Sequence, residues 1–218
     1  MRGRIPALAV CASLTVSSAF AADGEGRFAI EGGGLLTCVD YLSAMEWRSP
    51  DVPAYGGWIE GYVTALNQQF DGIYDLTPWQ TTESLLSLMS SICRQLPSDT
   101  RTAEALDRMV RLLLPDALRE KSRVVALEGE NDTAIAIYAA VLDQINDALR
   151  DKGHAIAQAD GYFGRDTQAG LRAVQAEAGL TVTGMPDQRT LFVLLLDARP
   201  RPAVETATAD GSGAPAGD

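Results

Sequence analysis

Histidine is nearly missing from this chain, with His154 the one copy in 218 residues. Zinc hydrolase sites combine several histidines with carboxylates, so a lone histidine cannot build one. A serine triad would have to use His154, and no Gly-x-Ser-x-Gly elbow accompanies it. The residue follows a helical stretch and reads as a solvated loop residue or a charge at a helix C-terminus. Cysteine is scarce too: Cys11, Cys38 and Cys93. Basic runs are absent. Lys and Arg number 18 against 29 Asp and Glu, a formal charge of −11. That balance argues against nucleic acid and anionic lipid as partners. Beyond the first 22 residues no apolar run approaches the about 20 residues that a bilayer requires.

What the chain does have begins at its N-terminus. Arg2 and Arg4 form a basic end, residues 5–20 are apolar or small, and Ala19-Phe20-Ala21 places small residues three apart. Residues 1–22 therefore read as a cleaved secretory signal peptide, with an N-terminal anchor as the alternative. Cleavage removes Cys11 and both arginines and takes the charge from −11 to about −13. It leaves Cys38 and Cys93, an even count that reads as one disulfide in an exported chain, with two free thiols as the alternative. A cysteine nucleophile would need one of those thiols free. The expected location is the periplasm, with no membrane contact after cleavage.

Composition divides the remainder. Residues 23–34 are glycine-rich and polar, a flexible lead. Residues 35–118 carry helical periodicity, 119–137 are a linker or short hairpin, 138–197 form a second periodic block, and 198–218 read as a disordered tail. The fold class is all-α, with at most one short β-hairpin.

In the first block, Leu36, Val39 and Leu42 mark a short helix around Cys38. Trp58, Tyr62 and Leu66 recur every four residues, which predicts an amphipathic helix over 55–68. Thr77-Pro78-Trp79-Gln80 reads as a helix start with Thr77 as cap. Leu85, Met89, Ile92 and Leu96 form the face that follows, and Pro97 ends it. Ser98 or Asp99 caps a fourth helix with Leu106, Met109 or Val110, and Leu113 inward, stopping at Pro115. Between the blocks, Val124–Leu127 and Ala134–Tyr138 flank a Gly/Asn/Asp turn and read as a hairpin; a helix continuing into 139–152 is the alternative.

In the second block, Val141, Ile145, Ala148 and Leu149 predict a helix closed by Gly153. A tight glycine loop over 160–164 follows. Asp166 or Thr167 caps the next helix, with Leu171 and Val174 inward, and Gly179-Leu180 ends it. Asp187 caps a last helix carrying Leu191, Leu194 and Leu195.

The run Asp160-Gly161-x-Phe163-Gly164-x-x-Thr167, then Gln175, Gly179-Leu180, Gly184 and Thr190, resembles the three-helix peptidoglycan-binding domain of bacterial cell-wall proteins. The resemblance implies peptidoglycan as the ligand. Tyr162, Arg165 and Gln175 are the expected contacts. Asp160, Gly161, Phe163, Gly164, Thr167, Leu180, Gly184 and Thr190 serve mainly the loop, the caps and the core. The family usually has Phe where Val174 stands and often Ala where Gly170 stands.

The first block carries Thr37-Cys38-x-Asp40-Tyr41-Leu42, Gly61-Tyr62-x-x-Ala65-Leu66-Asn67, Thr77-Pro78 and Cys93. This resembles the HdeA family of periplasmic acid-stress chaperones and the related immunity proteins of type VI secretion amidases. It implies a small helical scaffold that binds a protein partner or unfolded clients. At low pH, protonation of the carboxylates would turn the chain strongly positive, and self-repulsion would open the bundle to expose Trp58 and Trp79. The expectation is a non-catalytic periplasmic wall-binding protein, with no cofactor and no metal. An immunity-like inhibitor of a wall-degrading enzyme is one alternative. A glycan-cleaving enzyme is another, because that chemistry needs only carboxylates such as Glu46, Glu60 or Glu83.

Overall fold

The computed structural model of the chain describes residues 23, 25, 27–128, 134–157 and 162–197. The expected signal peptide, the residues between the hairpin strands, the Asp160-Gly161 pair and the expected C-terminal tail lie outside the described residues. The fold is mostly helical, with seven α-helices among the described residues and one antiparallel hairpin.

Helix α1 (Cys38–Glu46) opens on a capping box. Thr37 accepts from the Asp40 N–H, and the Asp40 carboxylate accepts from the Thr37 N–H. Helices α2 (Val52–Gln69), α3 (Thr82–Cys93) and α4 (Thr102–Leu113) follow. Their inward faces bring Ile59, Val63, Leu85, Met89, Leu106, Met109 and Leu113 into the core beside Tyr41. A disulfide joins Cys38 to Cys93 across α1 and α3, with Cα atoms 5.2 Å apart. It closes a sequence separation of 55 residues, worth on the order of 4 kcal/mol in the chain-entropy model.

Three local expectations give way to tertiary contacts. Thr77–Gln80 is loop, and α3 starts at Thr82 behind a Thr81–Ser84 capping box. The loop is held elsewhere, because the Asn67 side chain accepts from the Leu76 N–H and Asp75 accepts from the Thr77 N–H. Neither Ser98 nor Asp99 caps α4, whose N-cap is Arg101. Backbone carbonyls of Ser98 and Thr100 instead accept from the Val39 and Cys38 N–H groups of α1. The glycine-rich lead is ordered at its end. A 3-10 turn, Gly32–Leu35, lies against Trp58, and a Cβ on Gly34 would collide with that indole. Thr102 Oγ donates to the Gly33 carbonyl and ties the turn to α4.

The hairpin pairs β1 (Val124–Glu128) with β2 (Ala134–Tyr138), Val124 facing Tyr138 and Ala126 facing Ala136. Helix α5 (Ala139–Asp151) follows directly, then α6 (Arg165–Glu177) and α7 (Gln188–Leu191), which runs on as a π-helical turn over Phe192–Asp197. Val141, Leu142, Ile145, Leu149, Leu171, Val174, Leu191, Leu194 and Leu195 are buried between these helices. Gly170 lets α5 and α6 approach closely, since a Cβ there would come within 3.0 Å of Leu149 Cδ1. The apolar core is continuous between the blocks. At their seam Gln188 donates to the Trp79 carbonyl and accepts from the Thr81 N–H, and Gln144 donates to the Asp116 carbonyl at 3.0 Å.

Candidate binding site

Two devices shape the second block. The first is a pair of glycine helix ends. Gly153 has φ +87° and Gly179 φ +66°, a left-handed conformation that costs glycine little. His154 N–H returns to the Leu149 carbonyl, and Leu180 N–H to the Gln175 carbonyl, the six-to-one bond of a Schellman close.

The second device is Gln175, which is 0% exposed. Its Oε1 accepts from the Thr183 and Gly184 N–H groups at 2.9 and 2.8 Å. Its Nε2 lies 2.9 Å from the Met185 carbonyl and 3.0 Å from Thr190 Oγ1. Thr190, also fully buried, donates its backbone N–H to Asp187, the N-cap of α7. Gln175 therefore fastens the 183–185 loop to α6 and α7. Its amide has no capacity left for a ligand, which corrects its expected role as a contact. Gly184 has φ +73° and lies under Arg172, so turn geometry and close packing both select glycine there.

Tyr162 and Arg165 do come together. They line a cleft of about 300 Å³ with Ile156, Ala157, Gly164, Asp166 and Thr167. Tyr162 is 53% exposed, and its ring crosses Gly164, where a Cβ would strike the ring edge. Arg165 and Asp166 are exposed at the first turn of α6, and Phe163 packs partly buried against the core. Neither Asp166 nor Thr167 caps α6. Gly164 is the N-cap, without a side-chain bond. Thr167 is buried, and its hydroxyl donates to Asn146 Oδ1 at 2.8 Å.

Asn146 was not picked out from sequence. It is 0% exposed on α5, accepts from Thr167 and donates through Nδ2 to the Tyr162 carbonyl at 3.1 Å. Its signal was available, because it falls on the apolar stripe of Leu142, Ile145 and Leu149, where a polar residue needs a partner.

Two other clefts among the described residues hold none of the expected site residues. One of about 480 Å³ is lined by Asp116, Gln144, Asp147 and Asp151 beside Leu194 and Leu195. Another, of about 430 Å³, lies at the seam between α3–α4 and Phe192–Asp197. Among the described residues no group of three or more His, Cys, Asp or Glu is placed to hold a metal ion. No helix there is long and apolar enough to cross a membrane.

The family model of the peptidoglycan-binding domain matches residues 142–194, from the first turn of α5 to the turn after α7. No family model supports the HdeA resemblance of residues 35–118. No curated protein and no solved structure matches the chain.

Proposed function

Starting from the family match over residues 142–194, we propose that the chain is a periplasmic protein that binds peptidoglycan through the cleft of Tyr162 and Arg165. The observation that carries this is the coincidence of the matched domain with a cleft that offers an aromatic face, a cation and an acid side by side. Tyr162 presents its exposed ring to the apolar face of a sugar or peptide, and Arg165 can hold a stem-peptide carboxylate. Recognition is short-range, because the chain is acidic at −11 and the wall's stem peptides also carry carboxylates. The role is non-catalytic. The signal-like first 22 residues and the disulfide support an oxidising compartment outside the cytoplasm.

The first block supplies a protein contact. Leu36, Val39 and Trp47, on or beside α1, are 40%, 53% and 78% exposed. Arg48, directly after Trp47, closes α1 with φ +49°, a conformation that disfavours a side chain. A strained, exposed helix end carrying a free indole suits a partner surface. Acid loosens the same helix. Bonds from the Thr37 hydroxyl and N–H hold the Asp40 carboxyl below its usual range. Its contribution is present above the ordinary carboxylate value and is lost as pH falls through the folded one. Holding of unfolded clients in acid would draw on Trp79, buried in the folded chain, and Trp58, half covered by Gly32–Gly34.

Cosedimentation with purified sacculi tests the wall reading. The full chain should pellet with sacculi and stay soluble without them; protein left in the supernatant, with a known binder pelleting, rejects it. Release of muropeptides would overturn the non-catalytic role. Suppression of client aggregation at pH 2–3 tests the acid role, and no protection at excess protein rejects it.

A further inference from the structure

We infer that Asn146 is the positioning residue of the cleft, fixing the spacing between Tyr162 and Arg165 through a bond to each side of the loop. The inference rests on the reading of that cleft as the wall-binding site. Asn146 lies on α5, while both cleft residues lie at or before the start of α6. Its Nδ2 donates to the Tyr162 carbonyl at 3.1 Å, and its Oδ1 accepts from Thr167 Oγ1 at 2.8 Å. One amide thus grips the backbone that carries the aromatic ring and the first turn that carries the cation.

Among the described residues no other side chain bonds the Tyr162 backbone. The N-cap of α6 is Gly164, which has no side chain to hold the turn. The Tyr162 ring fills the space over Gly164, so a shift of the Tyr162 backbone swings the ring across the cleft. Asn146 and Thr167 are 0% and 2% exposed. A bonded pair so fully withdrawn from water is rigid, because opening it strands buried polar groups. Asn146 does not touch the ligand itself. It acts through Tyr162 and Arg165.

The test compares Asn146→Leu and Thr167→Val with Thr167→Ser, which keeps the hydroxyl, and with Val141→Ala, a buried change on α5 outside the cleft. Two quantities are measured on the full chain: the dissociation constant for purified sacculi, and amide hydrogen exchange over residues 162–167. Asn146→Leu and Thr167→Val should weaken binding about tenfold and speed exchange in this segment. Thr167→Ser, which restores the hydroxyl, should recover most of the affinity and exchange protection that Thr167→Val loses. Val141→Ala should lower Tm while keeping both affinity and local exchange. Binding by Asn146→Leu equal to that of Val141→Ala overturns the inference while leaving the wall reading intact. If the parent chain itself ignores sacculi, the wall reading fails, and exchange alone decides the positioning claim: faster in Asn146→Leu than in Val141→Ala upholds it, equal rates refute it.

Discussion

Replacing Gln175 by methionine keeps the length of the side chain and most of its bulk but deletes the amide. Four good bonds disappear: those from the Thr183 and Gly184 N–H groups to Oε1, and those from Nε2 to the Met185 carbonyl and Thr190 Oγ1. Thr183 is at the surface and its N–H can turn to water, whereas Gly184, Met185 and Thr190 are buried. Three stranded buried groups, each costing 1–2 kcal/mol, amount to about 4 kcal/mol. That is a large share of the stability of a domain, typically about 5–15 kcal/mol, and it corresponds to a fall in Tm of roughly 10 °C for a chain of this size. Thermal and urea unfolding followed by circular dichroism measure it directly. A loss below about 1 kcal/mol would refute the fastening role. So would the opposite pattern, an unchanged Tm with sacculus binding abolished, because that is the signature of a ligand contact.

Gly164→Ala should displace the Tyr162 ring, since the new methyl falls on it; binding should weaken about tenfold with little change in Tm, and unaltered affinity would contradict the cleft geometry. Tyr41 is fully buried, its hydroxyl bonds the Leu86 carbonyl at 2.7 Å, and burial pushes its pKa up to about 12. Stability from its neutral form is therefore complete below about pH 10 and disappears as pH rises through about 12. In Tyr41→Phe the loss of stability between these values should flatten, at a cost of about 1 kcal/mol near neutrality; an unchanged alkaline limb would exclude Tyr41 as its source. Replacing Cys38 and Cys93 together by serine should cost on the order of 4 kcal/mol, read by urea unfolding, and indifference to reduction would show that the bridge contributes little.

Much of this fold was legible because its signals are local. Leu106, Met109 and Leu113 on α4 and Val141, Ile145 and Leu149 on α5 recur at helical spacing, and all are buried as that spacing requires. Gly153 and Gly179 end their helices by conformational freedom that no other residue has so cheaply. The hairpin was readable from β-branched and apolar runs around a turn. The misreadings arose where a distant contact outweighed a local preference. Thr77-Pro78 has the chemistry of a helix start, yet the Trp79 carbonyl is taken by Gln188, more than a hundred residues away. Ser98 has cap chemistry, yet its carbonyl serves α1. At the site, Tyr162 and Arg165 were legible as exposed polar or aromatic residues next to a glycine loop. Gln175 was legible as a motif residue but not as an inward one, because sequence does not show which way an amide faces; Asn146 was marked only by its place on the apolar stripe of α5. Both point inward, and both hold loops.

The most direct measurement is a sacculus-binding isotherm for the full chain, set beside those of Tyr162→Ala, Arg165→Ala and Val124→Ala, the last a change at an exposed hairpin residue. The account predicts saturable binding by the parent and by Val124→Ala, with affinity at least about tenfold weaker in the two cleft variants at unchanged Tm. Binding by both cleft variants as tight as the parent's would contradict it.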